Sequence, residues 1–254
     1  MAEGLDGTVA LVTGASSGIG EAASRALAAR GAAVALVARR RDRLEKLAAQ
    51  FEERGGSALV IPADVEVPDQ AEAAVQRTVD EMGRLDILVN DAGVMLLGPA
   101  LDAPLEEWSR MVSVNVLGLL QTTHASLPHL VHAAEDSPRR VADLVNIGSV
   151  AGRQARAGSA VYNLTKFGVR AFSEALRQEV TGRHVRVSVV EPGRVDTELQ
   201  SHLRPEVREA SMRRFEGVEP LRANDIAEAV EYIVTRPRHV AVNELLVRPT
   251  EQEG

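Results

Sequence analysis

Cysteine is absent from the 254 residues, which excludes disulfides, thiolate zinc sites, iron–sulfur ligation and cysteine nucleophiles. Aromatics are scarce: one tryptophan (Trp108), two tyrosines (Tyr162 and Tyr232) and four phenylalanines. Lysine is as rare as tyrosine, since 27 of the 29 basic residues are arginine and only Lys46 and Lys166 are not. No apolar run approaches the ~18 residues of a membrane span, and the opening MAEGLDGTVALVTG lacks a basic region and a small-residue cleavage site. The net charge of -7 argues against general binding to nucleic acid or an anionic membrane, yet allows a local cationic pocket. The six histidines show no ligand spacing, so no metal site is expected. Hydrophobic residues at 45% and charged residues at 26% match globular proteins and exclude general disorder. The expectation is a soluble cytoplasmic protein acting on a small molecule. Its arginine excess reads as a preference in surface charge.

What is present alternates. Short β-branched runs at 8–13, 33–38, 58–61, 86–89, 141–147, 185–190 and 244–247 are mostly apolar throughout, as in parallel strands covered on both faces. Segments with helical spacing lie between them, at 18–30, 42–54, 68–82, 105–131 and 160–180. This order predicts an α/β fold: one doubly wound, Rossmann-type parallel sheet of about seven strands with helices on both faces. No linker divides the chain, so 1–254 reads as one domain, with a cofactor-binding half (1–100) and a catalytic half (101–254). Two stretches break the rhythm. Residues 132–140 (HAAEDSPRR) read as a solvated loop, and the long charged segment 197–220 reads as a lid over the substrate.

The first βα turn is Thr13-Gly14-Ala15-Ser16-Ser17-Gly18-Ile19-Gly20. Its glycines permit a tight turn and close approach of backbone N–H groups to a diphosphate, and the helix that follows adds partial positive charge. The second strand ends in Arg39-Arg40-Arg41, with no acid before Asp42. An acid at this place binds a ribose 2′-hydroxyl, whereas arginine pairs with a 2′-phosphate. Arg39 and Arg40 therefore point to NADP(H), while Arg41 and Arg43 read as helix solvation. Tyr162 and Lys166, four apart in a helical segment, share one face. A free phenol has a pKa of ~10, and a neighbouring ammonium favours its ionised form.

With these residues assembled, the chain resembles the short-chain dehydrogenase/reductase family along essentially its whole length. Thr13 to Gly20 match the family's T-G-x-x-x-G-I-G, Tyr162 to Lys166 its Y-x-x-x-K, Ser149 in NIGSVAG its catalytic serine, and Asn115 in SVNVLG its helix asparagine. Asp64-Val65 match the adenine-contacting pair, and the P-G-x-x-x-T stretch matches Pro192, Gly193 and Thr197, with Val195 inside it. Asn90, Ala92 and Gly93 match N-N-A-G, but Asp91 replaces its second asparagine, a change expected to bear on local stability or polarity more than on chemistry.

The resemblance implies hydride transfer between a nicotinamide and a carbonyl or alcohol carbon. Tyr162 would be the general acid or base, and Ser149 would hydrogen-bond the substrate oxygen. Lys166 would lower the tyrosine pKa and hold the ribose, and Asn115 would position a relay water. Gly14, Ser16, Ser17, Gly18, Ile19 and Gly20 would cradle the cofactor, and Thr197 would touch its nicotinamide or diphosphate. Val94, Met95, Leu96, Ala151, Val161 and the 197–220 segment would line a mainly apolar substrate pocket. The family also implies a homotetramer or dimer. Within it, DAGVMLLGPALDAP and EPGRVDTEL look like clavulanic acid dehydrogenase-like NADP-dependent reductases, and the ending is shared with 3-hydroxy acid and serine dehydrogenases. These likenesses favour an aldehyde or ketone reductase over a catalytically silent cofactor-binding regulator, which has no need of a phenol–ammonium pair.

Overall fold

Each of the seven apolar runs forms a strand in the computed structural model, which describes residues 4–253. They are β1 (Val9–Thr13), β2 (Ala33–Ala38), β3 (Ala58–Pro62), β4 (Ile87–Asn90), β5 (Ala142–Ile147), β6 (Val185–Pro192) and, after two short strands β7 (Val195–Asp196) and β8 (Leu221–Arg222), β9 (Glu244–Val247). The large sheet has the order β3-β2-β1-β4-β5-β6-β9, every neighbour parallel. The chain thus winds outward from β1 in one direction to β3, then in the other from β4 to β9.

Successive strand residues face opposite sides of the sheet, and both sides are dry. On one side Ala10, Val12, Val34 and Leu36 pack with Leu27 of α1 (Gly18–Ala29), Leu44 and Phe51 of α2 (Arg41–Glu52) and Ile226 and Val230 of α8 (Ala223–Val234). On the other, Leu11, Ala35 and Val37 pack with Val75 of α3 (Pro68–Met82), Leu130 of α5 (Leu119–Asp136) and Leu176 of α6 (Ala160–Val180). Period-two burial on both faces explains why the strands read as unbroken apolar runs.

The helices depart from the sequence reading in two places. The segment expected as one helix over 105–131 is α4 (Leu105–Val112), a π-helical turn (Ser113–Gly118) and α5, with helical backbone at both junctions. Helix α5 also runs on to Asp136, so residues 132–136, expected in a solvated loop, are helical; Leu130, Ala133 and Ala134 bury its last turns against the sheet. Apolar contact on one face outweighs the polar look of HAAEDSPRR. The 197–220 segment holds a 3₁₀ turn (Glu198–His202) and α7 (Pro205–Arg214). No helix among the described residues is long and apolar enough to cross a membrane.

Nor is arginine only a surface charge. Where β5 meets β6, Asp143 is fully buried and accepts from Arg186 Nε at 2.7 Å and Nη2 at 3.0 Å, and from Arg139 Nη2 at 2.9 Å. Arg186 Nη1 also donates to the carbonyl of Val240 at 2.7 Å. A planar fork can satisfy a buried carboxylate and nearby carbonyls together, which a lysine cannot. Arg186→Leu leaves the buried Asp143 with Arg139 as its one remaining cation and removes the donors to the nearby carbonyls, and should cost about 3 kcal/mol. Arg77→Leu, which breaks an exposed pair with Glu81, should cost under about 1 kcal/mol. Urea midpoints measure both, and equal shifts would refute the distinction.

Candidate active site

The winding direction reverses between β1 and β4, so the loops leaving their carboxyl ends diverge and open a crevice. Thr13 ends β1, and its Oγ1 accepts the N–H groups of Asp91 at 3.1 Å and Ala92 at 3.2 Å, tying the two loops together. The approach is close enough to demand glycine. A Cβ on Gly14 would lie 2.9 Å from Ala92 N, and one on Gly20 would lie 2.6 Å from the Gly14 carbonyl oxygen and 2.7 Å from an Asp91 carboxylate oxygen. At the start of α1, Ser17 has extended backbone but makes no side-chain cap. Its hydroxyl instead accepts from Arg40 Nη2 at 2.7 Å, and the helix N-terminus is left to face an anion.

This turn forms one end of a cleft of about 770 Å³. Of the residues expected to bind cofactor, Gly14, Ser16, Ser17, Gly18, Ile19, Arg39, Arg40, Asp64, Val65, Ala92, Gly93, Pro192, Gly193, Val195 and Thr197 line it, together with Ser149, Tyr162 and Lys166. Three expected residues lie behind the wall instead. Gly20 packs under the turn. Asn90 donates to Thr123 Oγ1 and Asn146 Oδ1 and accepts from Thr122, knitting β4 to β5 and α5. Asn115, on the π turn, accepts from Val94 N at 2.8 Å and donates to Val94 O at 2.9 Å and Thr165 Oγ1 at 3.3 Å. Its amide is a brace between the β4 loop and α6, so a relay water would have to use its backbone.

Tyr162 is buried on the first turn of α6, where the Ser149 hydroxyl hydrogen-bonds its phenol. Ser149 Oγ also accepts from Ala151 N at 3.1 Å, which fixes the hydroxyl after β5. Lys166 lies one turn along α6; its Nζ sits 5.9 Å from the Tyr162 ring centre and donates to the Ile147 carbonyl at 2.8 Å. Burial pushes the Tyr162 phenol up to about 12; the Ser149 bond opposes this and the Asp91 charge adds to it. Burial also draws the Lys166 ammonium down to about 8, against the pull of Asp91. The Asp91 carboxyl is itself raised to about 7 by burial, against Lys166 and the Gly20 N–H. Asp91 therefore reaches the chemistry electrostatically, beyond the local effect expected of it. The protein alone does not lower the phenol.

At the adenosine end, the sequence reading missed a contact. Glu198, from the 3₁₀ turn, is gripped by Arg40 Nη1 at 2.8 Å and Arg43 Nη1 at 2.6 Å, and these bonds pull its carboxyl down to about 2. Arg43, read as helix solvation, thus joins Arg40 around one carboxylate, while Arg39 lies 3.8 Å from Asp64 and 4.0 Å from Glu66. Arg40 is held from its other side by Ser16 Oγ. Only the 155-residue separation of Arg43 from Glu198 hid this meeting.

The substrate end corrects a second expectation. Val94, Met95, Leu97 and Ala151 line the cleft, but Leu96 and Val161 pack beneath Tyr162 instead. Arg156, Arg194 and Arg214 also reach the wall, so a mainly apolar lining carries three cationic groups. From the 197–220 segment, Leu199, Val207, Ala210 and Phe215 line the cleft. Among the described residues no group of three acids, histidines or cysteines is placed to hold a metal ion.

The bare backbone turn, the uncapped helix end and the arginines beyond it suit a nicotinamide dinucleotide, and comparison with known proteins agrees. The profile of the short chain dehydrogenases matches residues 8–208. An uncharacterized oxidoreductase of Staphylococcus aureus is 36% identical over 241 residues, covering 95% of this chain and 96% of its own. The closed form of a serine dehydrogenase complexed with NADP+ superposes with a TM-score of 0.86 at 34% identity, over 97% of each chain. An alcohol dehydrogenase from the archaeon Thermococcus sibiricus, complexed with 5-hydroxy-NADP, gives 0.85 at 31% identity, over 97% of this chain and 98% of that one. The chain belongs to the short-chain dehydrogenase family of nicotinamide-dependent oxidoreductases.

Proposed function

We propose that the protein is an NADP(H)-dependent reductase of aldehydes or ketones. The observation that carries this reading is Tyr162, hydrogen-bonded by Ser149 and one helical turn from Lys166, in the cleft that begins at the glycine turn. When bound, the nicotinamide supplies or accepts the hydride at the carbonyl or alcohol carbon. The Tyr162 phenol then gives its proton to the oxygen that gains charge, and Ser149 donates a hydrogen bond to the same oxygen. Both donors are in place before charge develops, so little reorganisation is needed. Lys166, protonated below about pH 8, sits 5.9 Å from the ring of the phenolate left behind. For oxidation the same groups work in reverse, Tyr162 taking the proton.

The cofactor preference rests on Arg39 and Arg40. Glu198 marks where an anion sits between Arg40 and Arg43, and a 2′-phosphate offers the same guanidinium forks more charge. The serine dehydrogenase and alcohol dehydrogenase that superpose on this chain were each solved with an NADP-type ligand, which supports the choice.

Loss of NADPH absorbance against a panel of aldehydes, ketones and 3-oxo acids tests the activity. Binding of NADPH with no turnover of any of them would favour the regulator reading. Tyr162→Phe should abolish turnover and leave NADPH affinity within about threefold; turnover near the wild-type rate would remove tyrosine from the general-acid role. Arg40→Ala should raise KM for NADPH at least about tenfold and that for NADH far less. Equal rises would defeat the 2′-phosphate assignment.

Asp91→Asn tests the buried carboxyl by two readouts. Below about pH 4 Asp91 is protonated folded or unfolded; its burial penalty grows as pH rises from there to about 7, then stays constant. The variant should therefore match wild-type stability near pH 4 and exceed it above pH 7, by at most about 4 kcal/mol. Removing the negative charge should also lower the Tyr162 pKa, moving the alkaline limb of the pH profile for reduction to lower pH. An unmoved limb would show that Asp91 does not act on the phenol.

A further inference from the structure

We infer that the substrate end of the cleft is an oxyanion pocket built on Arg156, Arg194 and Arg214, and that the carbonyl compound reduced there carries a carboxylate. The inference rests on the reductase reading and narrows its substrate class.

Arg156 lies on the segment that joins Ser149 to Tyr162. Its backbone N–H donates to Asn163 Oδ1 at 3.1 Å, so the residue is anchored beside the tyrosine. The residue is partly buried, and its guanidinium finds only a neutral partner, Gln154 Oε1 at 3.0 Å. Arg194 follows Pro192-Gly193 at the end of β6. Its Nη1 donates to the Phe215 carbonyl at 3.0 Å, and its guanidinium carbon is 5.0 Å from the Phe215 ring centre. Its Nε is buried with no hydrogen-bond partner. Arg214 stands over the same ring at 5.7 Å. The phenyl ring thus carries two guanidinium groups where α7 ends, in the cleft that Arg156 also lines, with Arg214 close enough to act on the Arg156 charge.

No carboxylate of the described residues lies within 4 Å of any of these three arginines, although most arginines in this chain are paired. The acids that share the cleft are otherwise engaged. Glu206 lies 3.8 Å from Arg204, Glu198 is held by Arg40 and Arg43, Asp64 and Glu66 face Arg39, and Asp91 lies under the glycine turn. Burial, with Arg214 and Arg248 nearby, holds Arg156 below the usual arginine range, the mark of crowded, uncompensated positive charge. Unpaired buried donors and like charges are costly unless an anion arrives.

The cofactor does not account for them. Its diphosphate has the glycine turn and the α1 N-terminus, and its 2′-phosphate has Arg39 and Arg40. The third cationic group shares the cleft with Ser149 and Tyr162, and Arg156 lies on the segment that joins them. A carboxylate a few bonds from the carbonyl would meet a planar fork there while its carbonyl oxygen lies against the serine and tyrosine hydroxyls.

Matched probes test this: acetoacetate against methyl acetoacetate, and succinic semialdehyde against butanal, with NADPH. The acids should show kcat/KM at least about tenfold above their neutral partners. Arg156→Gln should remove most of that preference through KM, and should change the neutral probes less than about threefold. Arg156→Lys, which keeps charge without the fork, should fall between the two. Preference for the neutral probes, or equal losses on both kinds in Arg156→Gln and Arg194→Gln, would overturn the pocket; so would dihydroxyacetone phosphate outperforming both acids, since that would replace carboxylate by phosphate. Binding is read separately in Tyr162→Phe loaded with NADPH, where acetoacetate should quench cofactor fluorescence at concentrations at least about tenfold below methyl acetoacetate. Equal binding of the two there defeats the pocket. That difference in the variant, with no carbonyl reduced by the wild type, would sink the reductase reading alone.

Discussion

The near-contact of two loops at the reversal of the sheet governs the rest of this structure. Thr13 and Gly14 leave β1 against Asp91 and Ala92 leaving β4, with Gly20 brought in beneath them. Only glycine fits where a Cβ would fall 2.6 to 2.9 Å from backbone atoms. Because the turn is that tight, the N-terminus of α1 points into the crevice, Ser17 turns to Arg40, and the cleft extends on to Ser149 and Tyr162. A looser crossing would separate the anion end from the chemistry.

Asp91 sits at the centre of this crossing and links its geometry to its electrostatics. An asparagine would make the same hydrogen bonds without charge. The carboxyl instead couples the Gly20 N–H, the Lys166 ammonium and the Tyr162 phenol in one buried region, each affecting the ionisation of the next. Titrating groups that influence one another electrostatically ionise as a set rather than singly. Burial and the Asp91 charge push the phenol up, and the Ser149 hydrogen bond opposes them.

Arginine, the dominant cation, fills four distinct roles that composition could not separate. Arg139 and Arg186 satisfy a buried aspartate at the sheet base, and Arg153 bonds the buried Glu191. Arg40 and Arg43 grip a carboxylate where an anion belongs. Arg156, Arg194 and Arg214 remain without carboxylate partners in the cleft, and others such as Arg77 and Arg213 are ordinary exposed helix pairs. The planar fork suits all four, so residue type alone says little about role.

What the sequence determined by itself is whatever depends on neighbours in the chain. The strand cores, most helix spans, the glycine turn and the i,i+4 placement of Tyr162 and Lys166 follow from period and turn chemistry, which act over a few residues. The polar stretch after 131 deceived for the same reason, since its apolar face counts only once the sheet beneath it exists. What the tertiary structure alone decided are the meetings across long separations. Glu198 reaches Arg43, Arg194 and Arg214 share Phe215 in the cleft that Arg156 also lines, and Asn90, expected at the cofactor, and Asn115, expected at a relay water, serve as braces. Charge partners and pKa values depend on distance in space and on exclusion of water, and neither exists until the sheet has wound in both directions from β1 and β4.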